Sequence, residues 1–405
     1  MVKRGTVFMI SFLLAASLWA GGWNNTLMGC RAMGIGGAFA GIADDPSAIF
    51  YNPGGLGFQE NSLNFSLQGF YVWPTHEYTL PTGATVQSKY DNPLPQFFVT
   101  YRTSERITLG FGIYIPYAGG GVDWQKDQLG VPLESFMGVY ALTPTIAYQV
   151  SDKFSLGFNI IYYRGMCRVN TEMGGYGPLN SEETGGSLSA GLGLMYKPTD
   201  KLSLGLGIRG PAQMKLSGTT SINYGLYKMN LDSETRFSLP WDMEFGLSYK
   251  ITDNLLFATG FQYTMWSALD KVEKTIKNVP GFDPILQMPV IGDVEEEEIL
   301  NFKDIIIWRI GVEYAFPQGV ALRAGIGLDH YASPEETLSI TNIDVNKFTL
   351  LGGIGYRTGK MQIDFFYAYA MGSEREKIST DFGMPLTEKY NLSAFILGLG
   401  ITLSY

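Results

Sequence analysis

Between positions 202 and 209 the chain alternates without a break. Leu202, Leu204, Leu206 and Ile208 fall on one side, and Ser203, Gly205, Gly207 and Arg209 on the other. A period of two marks a strand with one apolar face; a helix would repeat nearer every 3.6 residues. The same reading holds for Ile107, Leu109, Phe111, Ile113 and Ile115, for Leu255, Phe257, Phe261 and Tyr263, for Trp308, Ile310, Val312 and Tyr314, and for Met361, Ile363, Phe365, Tyr367 and Tyr369. The chain closes on Phe395, Leu397, Leu399, Ile401, Leu403 and Tyr405, opposed by Gly398, Gly400, Thr402 and Ser404. Short polar turns at 103–105, 151–153, 199–201, 252–254, 317–319 and 358–360 alternate with long segments at 75–92, 117–137, 166–186, 217–235, 267–302, 331–346 and 372–390. Six turns and seven loops separate fourteen strands. The prediction is an all-β, 14-stranded antiparallel transmembrane β-barrel over 61–405, with its turns in the periplasm and its loops outside. An even count closes the sheet with both ends on the periplasmic side.

Composition fits that picture. Charged residues make up 17% of the chain, aromatics 14%, and there are 50 glycines, more than helices tolerate but suited to strands lining a crowded interior. A net charge of -9 argues against nucleic acid, which needs clustered Lys and Arg to neutralise phosphates. No stretch after the first residues approaches the roughly twenty apolar residues of a spanning helix. At the start, Lys3 and Arg4 precede an apolar stretch at 6–18 and Ala20, which reads as a signal peptide over 1–20. An exported chain that is nearly half apolar, yet without a long apolar run, belongs in the bacterial outer membrane as a barrel. A closing strand that ends on an aromatic is the usual recognition signal of the barrel-assembly machinery.

Segment 21–60 does not alternate. It is rich in Gly and Ala, has few charges, and precedes the first strand at Ser62; its small, uncharged residues disfavour a solvated tail. Leu27-Met28-Gly29-Cys30 looks like a lipoprotein box, but the polar interruption at 21–26 separates it from the apolar stretch. Cys30 and Cys167 are too far apart in sequence to establish a disulfide on their own.

Three runs in this region carry a resemblance. They are Gly29-Cys30-Arg31-Ala32-Met33-Gly34-Ile35-Gly36-Gly37-Ala38-Phe39, Ala43-Asp44-Asp45-Pro46-Ser47-Ala48, and Tyr51-Asn52-Pro53-Gly54-Gly55-Leu56. Together with Ile113-Tyr114-Ile115-Pro116-Tyr117, Tyr263-Thr264-Met265-Trp266-Ser267 and Trp308-Arg309-Ile310-Gly311, they resemble the FadL family of outer-membrane transporters for long-chain fatty acids and aromatic hydrocarbons. Gly54 stands where that family usually has Ala, and Cys30 where Ala or Ser is common. The resemblance implies an N-terminal hatch over 21–60 inside the lumen, built on Gly34, Gly36, Gly37, Asp44, Asp45, Asn52, Pro53 and Gly54. It also implies that apolar ligands enter from outside, bind in greasy pockets, and leave sideways into outer-membrane lipid at an inward kink of the third strand.

The residues add their own chemistry. Pro116 has no amide hydrogen to complete a ladder bond, and Gly119, Gly120 and Gly121 follow it. Either the strand ends there or the wall opens, and the resemblance favours the opening. Trp73, Trp124, Leu129 and Phe136 lie in or beside the first two loops. Exposed, they would capture a hydrophobic ligand; otherwise they belong to the aromatic girdle and loop packing. Strand parity turns Arg209, Arg309 and Arg323 into the lumen with Asp242, Glu244, Glu313 and Asp364. The structural reading is an ion-pair network that holds the hatch; the functional one is a bidentate fork for a carboxylate head group.

Rival readings have less to stand on. The literal GxGxxG at 205–210 lies inside a strand and meets Pro211, with no helix after it. The acidic run Glu295, Glu296, Glu297 and Glu298 reads as a solvated face. Of the two histidines, His76 sits in a loop, and His330 neighbours Asp329 so closely that in a strand the two would point to opposite faces, which leaves no hydrolase triad. The expectation is therefore no catalysis, no cofactor and no metal. It is a monomeric, passive transporter of fatty acids or other hydrophobic compounds, the alternative being a general diffusion porin for small polar solutes.

Overall fold

The structure is a computed structural model that describes residues 21–173, 177–224, 227–283, 288–379 and 385–405. The predicted signal peptide over 1–20 lies outside the described residues. Fourteen antiparallel strands form a closed barrel. They run as β1 Leu63–Thr79, β2 Asn92–Arg102, β3 Ile107–Trp124, β4 Leu133–Ser151, β5 Phe154–Met173 and β6 Gly177–Tyr196. Next come β7 (Leu202–Arg209 with Ala212–Tyr224), β8 (Tyr227–Leu239 with Asp242–Lys250), β9 (Leu255–Thr264 with Lys271–Asp283) and β10 (Met288–Ile299 with Ile305–Ala315). The last four are β11 Val320–Asp329, β12 Lys347–Thr358, β13 Met361–Gly372 and β14 Leu386–Ser404. Closure joins β1 to β14 from Asn64↔Ser404 to Thr79↔Lys389. At the seam Tyr405 donates its N–H to the Leu63 carbonyl, 2.8 Å. A closed ring leaves no sheet edge for lipid to strip of hydrogen bonds.

Side chains sort as the alternation predicts. Leu67, Phe158, Trp308, Tyr367 and Leu399 point outward and are exposed, the apolar band a bilayer requires. On β7, Gly205, Gly207 and Arg209 point inward. The six short turns lie where the sequence places them. The loops are shorter than the sequence suggests, because pairing continues past the apolar band: β5 and β6 stay in register from Gly165↔Gly185 out to Met173↔Gly177, within the stretch read as loop 166–186. Likewise 75–79 remain in β1, paired with a short strand, Thr85–Lys89. Segment 331–346 forms no strand and turns inward, burying Ala332, Leu338, Ile343 and Val345.

Residues 21–58 lie inside the ring of strands. Two short helices, Cys30–Gly34 and Ala48–Tyr51, and a 3-10 turn, Pro53–Phe58, are too short to hold their shape in isolation. The wall supplies the missing bonds from many sides. Asn159 of β5 donates to the Ile49 carbonyl (3.1 Å), Arg209 of β7 to that of Phe50 (2.6 Å), and Ser248 of β8 to that of Gly41 (2.9 Å). On β2, the Gln96 amide both accepts from Gly29 N–H (3.1 Å) and donates to the Leu27 carbonyl. The inward glycines permit this closeness. A Cβ at Gly205, Gly207, Gly246 or Gly311 would run into the main chain at Ala40, Tyr51, Gly41 or Ile35.

Candidate functional site

Within this segment the sequence motifs have separate local tasks. Gly36 and Gly37 take φ of 73° and 75°, which a side chain would make costly, and the Gly36 backbone packs against that of Ile310 and Gly325. Gly34 lies against the Arg323 side chain. Asn52 accepts from Gly54 N–H (3.0 Å) and donates to the carbonyls of Ala40 and Leu194 (both 2.9 Å), so one side chain closes the turn and ties it to β6. Pro53 opens the 3-10 turn, where a missing N–H costs nothing. Asp45 accepts from Ser47 N–H (2.8 Å) and Oγ (2.6 Å), and burial pushes its carboxyl up to about 6 against the pull of Arg31. Asp44 pairs with Arg31.

The lumenal arginines are buried and ion-paired. Arg323 reaches Glu313 at 2.6 Å and Asp364 at 2.7 Å, while Glu313 also accepts two bonds from Arg31, at 3.0 and 2.9 Å. Arg209 pairs with Asp242 at 2.8 Å and lies 3.6 Å from Glu244. Arg309 lies 2.7 Å from Asp329, in charge contact though not aligned as a hydrogen bond. These three sites join the wall to itself and to the N-terminal segment.

The wall departs from regular pairing between β2 and β3. Their ladder runs from Arg102↔Thr108 to Phe97↔Ile113 and stops there, whereas β2 keeps pairing with β1 as far as Val72↔Asn92. Past Ile113, β3 bends toward the lumen. Asn25 donates its backbone N–H to the Pro116 carbonyl (2.8 Å) and its side-chain amide to that of Ile115 (2.6 Å), and Ala118 N–H donates to Trp23 O (3.0 Å). The register of β3 against β4 shifts twice, at 114–117 and at 119–122. Pro116 sits in the first bulge, and Gly120 and Gly121 in the second.

The stretch of β2 that loses its neighbour reads Asn92-Pro93-Leu94-Pro95-Gln96. A proline cannot give a ladder bond, so with the β1 pairing intact Pro93 and Pro95 must turn their nitrogens to the open edge. That edge therefore lacks two of the amide donors that would otherwise face the gap unsatisfied. The signal was present in the sequence but meant little before the neighbouring strand was known.

A cavity of about 190 Å³ occupies the gap, lined among others by Leu94, Ile115, Ala118, Phe136 and Tyr140. Leu94, Ile115 and Ala118 also belong to a buried apolar cluster with Leu27, Cys30 and Met33 of the N-terminal segment and Phe70, Phe366 and Ile396 of the wall. Apolar surface thus runs from the interior into the gap. On its outer side the Tyr90 ring covers Gly121, leaving no room for a Cβ there, and stacks on Phe136 at 6.1 Å.

The four loop residues singled out from sequence fall in different places. Phe136 lines the wall cavity. Trp73 faces outward, 4.5 Å from the Tyr71 ring and 5.9 Å from that of Phe395. Trp124 is fully buried and donates to the Ile340 carbonyl at 2.9 Å. Leu129 ends a short helix, Lys126–Leu129, and packs on the interior. Cys30 and Cys167 are both free and buried. His76 is buried in β1, and Asp329 is engaged by Arg309.

A closed antiparallel barrel with an apolar exterior defines the class as an outer-membrane β-barrel. Over residues 11–405 the chain matches the family described as outer membrane protein transport protein (OMPP1/FadL/TodX), and it belongs to that family. The family is one of transport proteins, which sets the hydrolase reading aside. A putative outer membrane protein of Neisseria meningitidis serogroup B is 27% identical over 139 residues, 32% of this chain and 29% of that protein. Outer membrane protein P1 of Haemophilus influenzae is 23% identical over 224 residues, 53% of this chain and 46% of its relative. The matches thus span less than half the length of these curated relatives. The fold superposes on a Pseudomonas aeruginosa FadL homologue with a TM-score of 0.79 at 17% identity, covering 96% of this chain and 100% of that one. It also superposes on the Pseudomonas putida toluene transporter TodX with a TM-score of 0.71 at 17% identity, covering 92% and 98%. At such identities the likeness is one of fold.

Proposed function

We propose that this chain is a passive outer-membrane transporter of apolar small molecules, such as long-chain fatty acids or other hydrophobic compounds. Segment 21–60 is its hatch, and the gap between β2 and β3 is its exit. Ligand binds on the apolar surface shared by hatch and wall, and leaves sideways into lipid past Pro116 and the glycines of β3. The observation that carries the reading is the end of the β2–β3 ladder at Ile113, beside a cavity continuous with the interior apolar cluster. Burying each CH₂ is worth about 0.8 kcal/mol, so such a surface holds a hydrocarbon without any reaction. A general porin is the lesser reading, because an open diffusion pore has no use for a lumen filled by its own N-terminal segment. Export and insertion through the closing strand, and function as a monomer, complete the proposal. Solvent extraction of the purified protein followed by mass spectrometry should recover apolar molecules in stoichiometric amounts. Recovery at the level of an unrelated barrel in the same detergent would count against it.

A further inference from the structure

On the loop side, which faces outside in this class of barrel, one stretch of the outer wall carries cations directly above the apolar band. Tyr162 and Leu188 pair across β5 and β6 and belong to that band, 41% and 67% exposed. The next outward-facing pair is Arg164↔Gly186. Gly185 pairs with Leu216, which sets Lys215 of β7 beside Gly186, and Lys215 pairs with Arg236 of β8. Arg164, Lys215 and Arg236 therefore share one row, a single step beyond the lipid-facing side chains. With strands about 4.8 Å apart, the row spans roughly 14 Å. Gly186 adds no side chain between Arg164 and Lys215, and the Tyr162 hydroxyl lies over it, where a Cβ would collide.

The row is short of negative charge. Lys215 and Arg236 share one carboxylate, Glu234, at 2.8 and 2.5 Å, and both side chains stay more than half exposed. Arg164 is exposed, donates to the Thr184 hydroxyl at 2.9 Å, and joins no ion pair among the described residues. The neighbouring acids are engaged elsewhere. Glu273, opposite Arg236, holds Lys271 together with Glu297, at 2.8 and 2.7 Å. Farther out, Glu182 pairs with Arg168 at 3.2 Å. Three cations against one carboxylate leave an excess of two positive charges, on a chain whose net charge is -9. Exposed ion pairs of this kind open at little cost, so Lys215 and Arg236 are free to turn to an arriving anion. A phosphate is the natural one, since Arg and Lys hold it by charge-assisted hydrogen bonds. Apolar surface immediately below calls for acyl chains on the same molecule. We propose that this row docks a phosphorylated lipid of the outer leaflet, with its chains on Tyr162 and Leu188 and its phosphate at Arg164, Lys215 and Arg236. The site lies on the outside of the wall and is independent of the transport reading.

The test titrates diphosphoryl lipid A, and the same lipid with its phosphates removed, into the purified protein in neutral detergent, and counts bound molecules by native mass spectrometry. The expected result is binding of the diphosphoryl form at least about tenfold tighter than the dephosphorylated one. That preference should vanish in Arg164→Gln/Lys215→Gln/Arg236→Gln and fall about fivefold in Arg164→Gln alone. It should persist in Lys201→Gln/Lys250→Gln/Arg357→Gln, which removes the same charge from the turn side of the barrel. Heat-resistant mobility on gels shows that each variant is folded, and the single Arg164→Gln change carries the test if the triple variant is not. Equal binding of the two lipids, an unchanged preference in Arg164→Gln, or an equal loss in the turn-side variant overturns the proposal. Displacement of the lipid by excess inorganic phosphate also overturns it, by making the row a site for free anions.

Discussion

Arg323→Met should destabilise the barrel by about 3–5 kcal/mol, the usual cost of stranding a buried carboxylate. Arg323 is 7% exposed and is the ion-pair partner of Asp364. Without it Asp364 keeps a hydrogen bond from Gln362 at 2.8 Å but no neutralising charge. Glu313 is better placed, because Arg31 still holds it by two bonds. The damage should therefore centre on the wall and loosen the N-terminal segment only partly. Arg323→Met/Asp364→Leu should recover most of the stability, since replacing both members of a buried pair with apolar groups is often neutral. Loss of heat-resistant mobility on gels, read against temperature, measures both variants. If the double variant is as weak as the single one, the pair holds the fold by packing rather than by charge.

Ala118→Trp should cut hydrocarbon delivery into lipid by at least about tenfold, the loss that blocking roughly 1.4 kcal/mol of binding at the wall produces. Ala118 is 2% exposed, lines the wall cavity and belongs to the apolar cluster that reaches Leu27, Cys30 and Met33 of the N-terminal segment. An indole there fills the space between β2 and β3 without touching the lumenal ion pairs. Overpacking costs about 1–3 kcal/mol, which a closed barrel of this size should survive, so folding is checked by the same gel assay. Delivery is measured as transfer of radiolabelled toluene from outside medium into proteoliposome lipid. Normal transfer by a folded Ala118→Trp variant would move the exit elsewhere.

Much of this was legible in the sequence because strand alternation is local. Leu202, Leu204 and Leu206 must share a face, so Gly205, Gly207 and Arg209 must share the other, and the strand count follows from the turns. Strand ends were less legible: whether 166–186 is loop or paired strand depends on the opposing strand, not on its own pattern. The breaks in β7 and β8 at Pro211 and Pro240 were marked by proline, but the inward turn of 331–346 was not. Asp344 there is held by N–H groups of Ala332 (2.7 Å), Ser333 (2.9 Å) and, from the far end of the chain, Gly22 (3.2 Å). Parity placed Arg323, Glu313 and Asp364 in the lumen, yet which carboxylate each arginine meets is settled by register between strands far apart in sequence. Pro116 was visible as a missing donor; that Asn25 would take the carbonyls of Ile115 and Pro116 was not.

The central claim, apolar passage through a barrel that stays shut to water-soluble solutes, is tested most directly in liposomes carrying the intact protein. Swelling in small sugars and transfer of toluene into the lipid are recorded on the same preparation. The account predicts toluene transfer well above protein-free liposomes, with sugar entry at the protein-free rate. Rapid swelling in sugars, with no gain in toluene transfer, would make the barrel a diffusion pore and contradict it.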